Sequence, residues 1–598
     1  MVRDQFLVIN KKDMKKRGWD KLDFILVSGD AYIDHPSFGV AIISRVLQDA
    51  GYKVGIVSQP DWTNVEDFKK LGKPRLAFLV TAGNMDSMVN HYTVNINKRR
   101  TDAYSPGGET GNRPNRATIV YCNRIKEVFR EIPIIIGGLE ASLRRFAYFD
   151  YWEDDIRRSI LFDSRADLLV YGMGEKQILR IAENLENGLD VQYIRHIPGT
   201  CYVINSLENV SAYKELDSYQ EVATDKKKYA RSFRFQYQEQ DPVKGKTMVQ
   251  KHGDRYLVQN PPAYPLSREK LDLIYSLPYQ RDYHPVYEDQ GGVPAIEEVK
   301  FSITSSRGCF GGCAFCALAF HQGKIVVSRS KESIINEAKK IIKDDDFKGY
   351  IHDVGGPTAN FRKAACQKQL IKGSCREREC LYPDPCPNLE VDHKEYLDIL
   401  NSLRNLEGIK KVFIRSGLRY DYIMADKDDK FLKEVCKHHV SGLLKVAPEH
   451  ISQDVLALMR KPDKNKFDNF RKKFYNINER LNKEQYLIPY LISGHPGSTL
   501  HSAIELAEYL RDIGHHPEQV QDFYPTPGTI STTMYYTGYD PQTMEEVHVP
   551  DIQEKKLQRA LLQYNYPQNY HSVYKALEKA GREDLIGYNE KALIKPKT

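Results

Sequence analysis

Three closely spaced cysteines are the most chemically specific feature of the sequence. Cys309, Cys313 and Cys316 form a Cys-x-x-x-Cys-x-x-Cys pattern directly after an apolar run that predicts a β-strand. Thiolates at this spacing can hold three corners of a 4Fe-4S cluster and leave the fourth iron without a protein ligand, which makes that iron a reaction site. The alternative, a closed structural zinc site, needs four ligands and usually pairs two Cys-x-x-Cys knuckles. The pattern therefore favours an iron–sulfur cluster.

A second group of cysteines follows within a stretch that is rich in charge and proline. Cys366, Cys375, Cys380 and Cys386 are separated by eight, four and five residues. This spacing matches neither a standard zinc site nor a standard cluster motif, but a bound metal would fix the shape of such a loop. We expect an auxiliary 4Fe-4S cluster or a structural zinc ion here, with free thiols as the remaining alternative.

The first cysteine group lies at the start of a regular alternation of strands and helices. The predicted strands are Lys300 to Thr304, Gly349 to Val354, Lys411 to Arg415, Gly442 to Val446, Leu487 to Ser493 and Val520 to Tyr524. Six strands with intervening helices predict an open (β/α)6 partial TIM barrel, a fold class that places its chemistry at the C-terminal ends of the strands. The cysteines follow the first of these strands.

A second α/β pattern precedes the barrel. Short apolar runs over residues 20–185 alternate with helix-length polar stretches, which predicts a doubly wound parallel sheet that binds ligands at its carboxyl edge. The predicted units are an N-terminal Rossmann-like α/β domain (1–190), a connecting segment (191–295), the partial barrel (296–530) with a Cys-rich insertion (361–390), and a helical C-terminal extension (531–598).

The connecting segment contains basic residues interleaved with aromatic residues. Lys226, Lys227 and Lys228 precede Tyr229 and Phe233. Such a run could hold a nucleic-acid strand through its phosphates and by stacking on its bases. The small net charge of the chain favours a solvated connection with small strands instead.

Composition limits the class of protein. The chain has 598 residues, of which 41% are hydrophobic and 28% charged, with a net charge of +7, as in ordinary soluble globular proteins. No apolar run approaches the roughly 18 residues of a membrane helix. The N-terminus lacks the pattern of a secretory signal, so we expect a cytoplasmic protein without membrane contact.

The cysteine motif, its preceding strand and the following barrel together resemble the radical S-adenosylmethionine (radical SAM) superfamily. In that superfamily the open iron chelates S-adenosylmethionine, and an electron from the cluster cleaves it to a 5'-deoxyadenosyl radical that abstracts a substrate hydrogen. The resemblance implies that Cys309, Cys313 and Cys316 are cluster ligands and that Phe315 lies against the adenine side. It also implies a reducing partner of the flavodoxin or ferredoxin type.

Further positions match this superfamily. Gly355, Gly356 and Pro357 resemble its glycine-rich segment, whose backbone meets the methionine amino group. Arg415 with Ser416, and Glu449, follow later strands where the superfamily places ribose and carboxylate contacts. The alternative for each single loop residue is a capping role.

Nearly the whole chain resembles the YgiQ type of radical SAM protein. The segments that carry this resemblance are Gln259 to Pro262, His321 to Lys324, Ser328 to Ser330, Gly355 to Asn360 and Tyr524 to Thr529. The last segment also resembles the Pro-x-Pro-Gly-Thr sequence of methylthiotransferases and cobalamin-associated radical enzymes. The resemblance implies the cofactor chemistry and leaves the substrate open.

The N-terminal domain is similar in layout to the cobalamin-binding domains that precede many radical SAM barrels. Those domains often carry Asp-x-His-x-x-Gly, in which the histidine ligates cobalt. This chain has Asp34 adjacent to His35, with Gly39 one residue late. A histidine-ligated cobalamin is therefore not predicted, and cobalamin binding without that histidine is left open.

The leading interpretation is a radical SAM enzyme of unassigned substrate. Within the enzyme class, the alternatives are cobalamin-dependent methylation and methylthiotransferase-like sulfur insertion that uses the second cysteine group. An alternative of another class is an RNA-binding protein that contains structural zinc and has no catalytic activity. Metal content separates these classes, because zinc cannot supply an electron.

Overall fold

A nine-stranded β-sheet forms the centre of the N-terminal half in the computed structural model, which describes residues 5–596. The strands of this half are β1 (Phe24–Ser28), β2 (Ile33–Asp34), β3 (Val54–Ser58), β4 (Ala77–Thr81), β5 (Ile134–Ile136), β6 (Tyr148–Asp150), β7 (Asp155–Arg157), β8 (Leu168–Val170), β9 (Thr200–Ile204), β10 (Tyr213–Glu215), β11 (Thr247–His252), β12 (Arg255–Gln259) and β13 (Asp282–Tyr283). Five of them, in the order β3-β1-β4-β5-β8, are parallel, as the sequence predicts. The order reverses between β1 and β4, where such sheets bind ligands.

Helices cover both faces of this sheet. They are α1 (Lys11–Lys16), α2 (Gly39–Asp49), α3 (Glu66–Lys69), α4 (Ser87–His91), α5 (Ala117–Val128), α6 (Gly138–Leu143), α7 (Ile160–Ser164), α8 (Glu175–Glu186), α9 (Tyr219–Thr224), α10 (Lys226–Gln238), α11 (Arg268–Ser276) and α12 (Ala295–Val299). Every residue of β1 is buried, as expected for a parallel strand with helices on both sides. Residues 1–4 of the predicted first unit lie outside the described residues.

The remaining strands of the sheet come from the segment that the sequence analysis treats as a connection. β9, β12 and β11 continue the sheet antiparallel to one another, and β10 adds a parallel edge strand. The pattern is hidden because buried positions here carry polar side chains: the Gln250 side chain accepts from the Ala147 amide at 2.9 Å, and the Gln259 side chain accepts from Arg145 at 2.5 Å. The segment from 200 to 259 is thus part of the N-terminal sheet.

The basic and aromatic run of this segment forms α10. Tyr229 and Phe233 are buried, and the Lys226 ammonium lies 5.2 Å from the ring centroid of Tyr536 in the C-terminal part of the chain. Arg231 pairs with the Asp217 carboxylate. The aromatic rings lie in an intramolecular interface and do not form an exposed stacking surface.

The second half follows the predicted barrel pattern. Its strands are β14 (Ser302–Thr304), β15 (Ser306–Arg307), β16 (Val327–Ser328), β17 (Tyr350–Ile351), β18 (Asp353–Gly355), β19 (Lys411–Val412), β20 (Leu443–Glu449), β21 (Tyr486–Ser493) and β22 (Gln521–Asp522). The parallel pairs are β14 with β18, β17 with β19, β20 with β21, and β21 with β22. These strands occupy the six predicted positions, which confirms the α/β class with a partial barrel.

The helices of this half alternate with the strands and then continue beyond them. They are α13 (Leu318–Gln322), α14 (Lys331–Ile341), α15 (Gln367–Lys372), α16 (Lys394–Arg404), α17 (Tyr420–Met424), α18 (Lys430–Glu434), α19 (Gln453–Met459), α20 (Lys464–Arg480), α21 (Leu500–Asp512), α22 (Ile530–Thr537), α23 (Ile552–Leu562) and α24 (Tyr570–Lys579). The C-terminal helices α23 and α24 share an apolar core with α21. Residues 597–598 of the predicted extension lie outside the described residues.

We also looked for membrane-spanning segments. No helix between residues 5 and 596 is both long enough and apolar enough to cross a membrane.

Candidate active site

The first cysteine group lies in a loop between β15 and α13, held on several sides by backbone hydrogen bonds. The Cys309 amide donates to the Gly323 carbonyl at 3.1 Å, and the Ala314 amide donates to the Met459 carbonyl at 3.0 Å. The Ala314 carbonyl accepts from the Ser531 amide, also at 3.0 Å. Backbone hydrogen bonds therefore hold the loop against α19, against α22 and against the residue that follows α13.

Hydrogen-bond donors point at the sulfur atoms of this loop. The Thr358 hydroxyl lies 3.4 Å from Cys309 Sγ, and the Gly311 amide donates to the same sulfur at 3.4 Å. Arg419 Nη1 donates to Cys313 Sγ at 3.2 Å. Donors to a ligating sulfur stabilise its thiolate and tune the potential of an iron–sulfur cluster.

Arg419 is itself held in place by buried neighbours. Its guanidinium pairs with the Asp421 carboxylate through bonds of 2.8 and 2.5 Å. Its backbone amide donates to Asn360 Oδ1 at 3.0 Å. A Cβ on Gly311 would lie 2.7 Å from Arg419 Nη1, so glycine is required where the guanidinium passes. The arginine thus reaches the thiol in one defined orientation.

The three thiols lie close enough together to influence one another electrostatically. Burial raises the pKa of Cys309, against the hydrogen bonds from Thr358 and Gly311. Burial, followed by the charges of Cys313 and Cys309, raises the pKa of Cys316 to about 12. Mutual repulsion of the thiolates is relieved by a cation among them, and metal binding would release the thiol protons.

The ligand number distinguishes a cluster from a single ion. A closed tetrahedral zinc site needs four ligands, whereas three thiolates can hold a 4Fe-4S cluster with one iron left open. Within residues 5–596, no group of three or more His, Cys, Asp or Glu side chains is placed to hold one metal ion.

The predicted glycine-rich segment lies beside these thiols, at the end of β18. Gly356 fits closely against the barrel, since a Cβ there would lie 2.5 Å from Ser306 Oγ. The Asp353 carboxylate accepts from the amides of Arg415 and Ser416 at 2.8 and 3.1 Å. This carboxylate joins the ends of the second and third barrel strands at one edge of the mouth.

A cavity of about 700 Å³ opens between this edge and the N-terminal sheet. On the sheet side it is lined by turns that follow the parallel strands, including Gly83, Asn84, Gly137, Gly138, Gly172 and Gly174. On the barrel side it is lined by Gly355, Gly356, Pro357, Arg415 and Ser416, all of them predicted site residues. The carboxyl edges of the two sheets therefore face one shared cavity, where ligands bind in both fold classes.

Two other predicted residues lie on the cysteine side and do not line the cavity. Phe315 packs near Met459 and Phe523, with its ring centroid 6.3 Å from that of His495. Glu449 ends β20 in the left-handed region, with φ of +70°. Burial raises the pKa of the Glu449 carboxyl, and its charge contributes to the raised pKa of Cys316. Thr358 links the residues that line the cavity to those on the cysteine side, because it follows Pro357 and contacts Cys309.

An ion pair between the two halves closes one wall of the cavity. The Arg307 guanidinium of β15 pairs with the Glu175 carboxylate at the start of α8, and Arg307 Nε donates to the Tyr275 hydroxyl at 3.2 Å. Both members of the pair are nearly buried and line the cavity. The pair therefore fixes the position of the sheet edge relative to the barrel mouth.

His35, the residue nearest to a cobalt-ligand position, is not among the residues that line the cavity. It is 1% exposed, and its Nδ1 accepts from the Ser37 amide at 3.1 Å. Burial lowers the pKa of its imidazole, which is therefore neutral.

The second cysteine group lies in the Cys-rich insertion, next to the first. Cys366 precedes α15, Cys380 and Cys386 are partly buried, and Cys375 is exposed. The Glu379 carboxylate lies against the loop of the first cysteine group (residues 308–317), which we call the cluster loop. A Cβ on Gly312 in that loop would lie only 2.6 Å from Glu379 Oε2.

Sequence reasoning missed the residues that support the cysteines from a distance along the chain. Glu379 accepts from Tyr237 Oη at 3.0 Å and from Lys324 Nζ at 3.1 Å, and it also pairs with Arg460. Arg419 and Glu379 are ionised groups with little exposure. The available signal was a charged residue among apolar ones, as in Leu418-Arg419-Tyr420-Asp421, but it does not identify the partners.

Three family models match consecutive parts of the chain. Residues 6–302 match the model described as "Radical SAM N-terminal", 303–510 match "Radical SAM superfamily", and 518–598 match a domain of unknown function, DUF3362. The first boundary agrees with the inclusion of 200–259 in the N-terminal sheet.

Curated relatives match the chain over its whole length. A UPF0313 protein of Clostridium perfringens strain 13 is 63% identical over 601 residues, which covers 100% of this chain and 90% of the relative. A UPF0313 protein of Clostridium botulinum strain 657 is 59% identical over 590 residues, covering 98% of this chain and 92% of the relative.

Two solved structures are similar to the chain at low sequence identity. The cobalamin-dependent S-adenosylmethionine radical enzyme OxsB, solved with aqua-cobalamin, has a TM-score of 0.50 and 11% identity, covering 94% of this chain and 72% of its own. The radical S-adenosylmethionine methyltransferase TsrM of Kitasatospora setae, with cobalamin and a 4Fe-4S cluster, has a TM-score of 0.46 and 13% identity, covering 93% and 99%.

Proposed function

This chain belongs to the UPF0313 family of radical SAM proteins, and from that membership we propose that Cys309, Cys313 and Cys316 hold a 4Fe-4S cluster for the reductive cleavage of S-adenosylmethionine. The cluster, when bound, supplies the electron that produces a 5'-deoxyadenosyl radical for hydrogen abstraction from a substrate. The family also implies a reducing electron donor.

The observation that carries this proposal is the arrangement around the three thiols. The Thr358 hydroxyl and the Gly311 amide contact Cys309 Sγ, and Arg419 contacts Cys313 Sγ. Cys316 is close enough to Glu449 for that carboxylate to add to the rise in its pKa that burial causes. These contacts would hold the thiols in place and stabilise them as thiolates, and three thiolates would leave one iron of a 4Fe-4S cluster open to S-adenosylmethionine.

The chain's own residues would orient the bound S-adenosylmethionine. Gly355 and Gly356 line the cavity with backbone, and they are needed because a Cβ at either position would collide with Ser416 or Ser306. Arg415 offers a cation to the methionine carboxylate, and Ser416 offers a hydroxyl at the same edge. The N-terminal sheet covers the cavity from the other side and would exclude water from a radical intermediate.

The test is anaerobic reconstitution with iron and sulfide, reduction, addition of S-adenosylmethionine and measurement of 5'-deoxyadenosine. We expect the nucleoside from the wild type and none above background from Cys313→Ala. Cys436→Ala, which changes a buried cysteine outside both groups, is the matched control and should keep the wild-type rate. Stoichiometric zinc without iron, together with no nucleoside, would overturn the proposal and favour the zinc-containing RNA-binding alternative.

A second candidate, cobalamin-dependent methylation, is favoured by the cavity itself. Its volume of about 700 Å³ and its place at the edge of a doubly wound sheet suit a large cofactor, and the similar fold of OxsB was solved with aqua-cobalamin. His35 itself is not among the lining residues, although its neighbours Pro36 and Ser37 are, so we expect such a cofactor to bind without His35 as a ligand.

The cofactor can be tested by filling the cavity. Gly39 lines the cavity and has open space where a Cβ would lie, so a larger residue fits without backbone strain. If cobalamin binds here, Gly39→Leu should abolish the absorbance change on titration with aqua-cobalamin, whereas Gly39→Ala should retain it. Absence of binding by the wild type would exclude this second candidate and leave the radical SAM proposal intact.

A further inference from the structure

The Cys-rich insertion, residues 361–390, has little regular structure of its own. Its one helix is α15, and much of the rest is exposed loop. Two of its side chains, Phe361 and Leu381, pack in a small apolar cluster with Phe310. A loop of this length with so few buried apolar residues has little intrinsic stability and usually requires an additional crosslink or ligand.

Backbone hydrogen bonds make Cys380 and Cys386 neighbours and join the two ends of the insertion near Cys366. The Cys386 amide donates to the Cys380 carbonyl at 2.9 Å. The Glu390 amide donates to the carbonyl of Ala365 at 2.9 Å, which places Cys366 beside the end of the insertion. Cys375 is the exposed member and lies 3.8 Å from Lys368 Nζ, on the helix that Cys366 precedes.

Three of the four thiols are partly shielded from solvent: Cys366, Cys380 and Cys386 are partly buried, whereas Cys375 is exposed. Four cysteine thiolates are the usual ligands of a 4Fe-4S cluster and also suit a zinc ion.

The second cysteine group lies close to the first in the folded chain. Cys309 and Cys380 pack against the same apolar cluster, which contains Phe310 and Leu381. Glu379, the neighbour of Cys380, contacts the cluster loop at Gly312.

We propose that the insertion holds a second iron–sulfur cluster, with Cys366, Cys380 and Cys386 as inner ligands and Cys375 as the exposed fourth ligand. The second cluster fixes the insertion against the loop of the first. This inference rests on the proposed function only in assuming that the protein is loaded with iron under reducing conditions. With four cysteine ligands, this cluster leaves no iron open to S-adenosylmethionine.

The test uses the full chain, reconstituted without oxygen, with iron, sulfide and zinc counted and the reduced protein examined by electron paramagnetic resonance. We expect about eight irons per wild-type chain and about four in each of two triple variants, Cys366→Ala/Cys380→Ala/Cys386→Ala and Cys309→Ala/Cys313→Ala/Cys316→Ala. S-adenosylmethionine should change the spectrum of the first triple variant and leave that of the second unchanged. Cys436→Ala should keep all eight.

The outcomes separate the two ideas. About four irons in the wild type, with none left in the 309–316 triple variant, would overturn the second cluster and leave the proposed function standing. One zinc per chain that is retained in the 309–316 triple variant would have the same meaning. No iron in the 366–386 triple variant, with iron in the 309–316 variant, would instead overturn the proposed function. If a variant does not fold, Mössbauer spectra of the wild type still count the irons and divide them between sites.

Discussion

The two cysteine groups use the same ligand atoms in different surroundings. Cys309, Cys313 and Cys316 lie within eight residues, directly after a barrel strand, and their loop is bonded to α19 and α22. The second group spreads over 21 residues of a loop whose backbone hydrogen bonds, such as that from Cys386 to Cys380, are local, while side chains such as Glu379 join it to distant segments. The backbone of the first loop is therefore held by the surrounding fold, whereas we expect the backbone around the second group to depend more on what binds there.

The largest expected effect separates the two groups by function. Cys316→Ala should reduce 5'-deoxyadenosine to background, because the open-iron cluster loses a ligand. Cys380→Ala should leave uncoupled cleavage of S-adenosylmethionine within about tenfold of the wild type, because the first site keeps its ligands. The measurement is the nucleoside formed per chain, normalised to iron. Equal loss in both variants, with iron retained at the first site, would mean that the two groups form one functional unit.

A second measurement compares how far the two cysteine loops keep their backbone structure when metal is removed. Removal of metal by a chelator should speed amide hydrogen exchange in 374–390 by at least about 100-fold, since the insertion has little core of its own. Exchange at 308–317 should rise far less, because its backbone bonds to Gly323, Met459 and Ser531 persist. A similar rise in both segments would contradict the distinction.

The sequence allowed prediction of the elements that local pattern defines. The strand predicted over Leu487 to Ser493 is observed as Tyr486–Ser493, whereas the one predicted over Gly349 to Val354 divides into β17 and β18. The strands between 200 and 259 were not predicted, because buried Gln250 and Gln259 interrupt their apolar pattern. Their partners, Ala147 and Arg145, are more than 100 residues away.

The candidate site divides in the same way. Spacing predicts the three cysteines as ligands, and the resemblance to the superfamily's glycine-rich segment points to Gly355 and Gly356. Arg419 and Glu379 depend on contacts across 106 and 142 residues, to Cys313 and Tyr237 respectively, and a single sequence contains no such pairing. The assignment of Cys309, Cys313 and Cys316 as ligands remains a prediction until iron is measured.

The contact between the two groups gives the third prediction. Glu379→Gln would leave the buried Lys324 ammonium facing a neutral amide, and Arg460 would keep only Asp540, at 4.0 Å, as a carboxylate partner. Breaking a buried pair costs about 3 kcal/mol or more of unfolding free energy. Urea unfolding of the apo protein measures this cost, and Glu377→Gln, at an exposed neighbouring position, is the control. A loss below about 1 kcal/mol would mean that Glu379 does not join the insertion to the cluster loop.

The smallest expected effect concerns the Arg419 guanidinium, which donates to Cys313 Sγ. Among the described residues of the second group, the cation that donates to a thiol is Lys368, and its partner Cys375 is exposed. Arg419→Gln combined with Asp421→Asn replaces the buried ion pair by two amides, so that no charge is left unpaired. Loss of a cationic donor to the sulfur disfavours the more negative, reduced cluster, so the midpoint potential should become more negative. Arg419→Lys keeps the charge and should give a smaller shift. Redox titration followed by electron paramagnetic resonance, at equal iron content, measures both; potentials equal to the wild type would show that Arg419 only supports the loop.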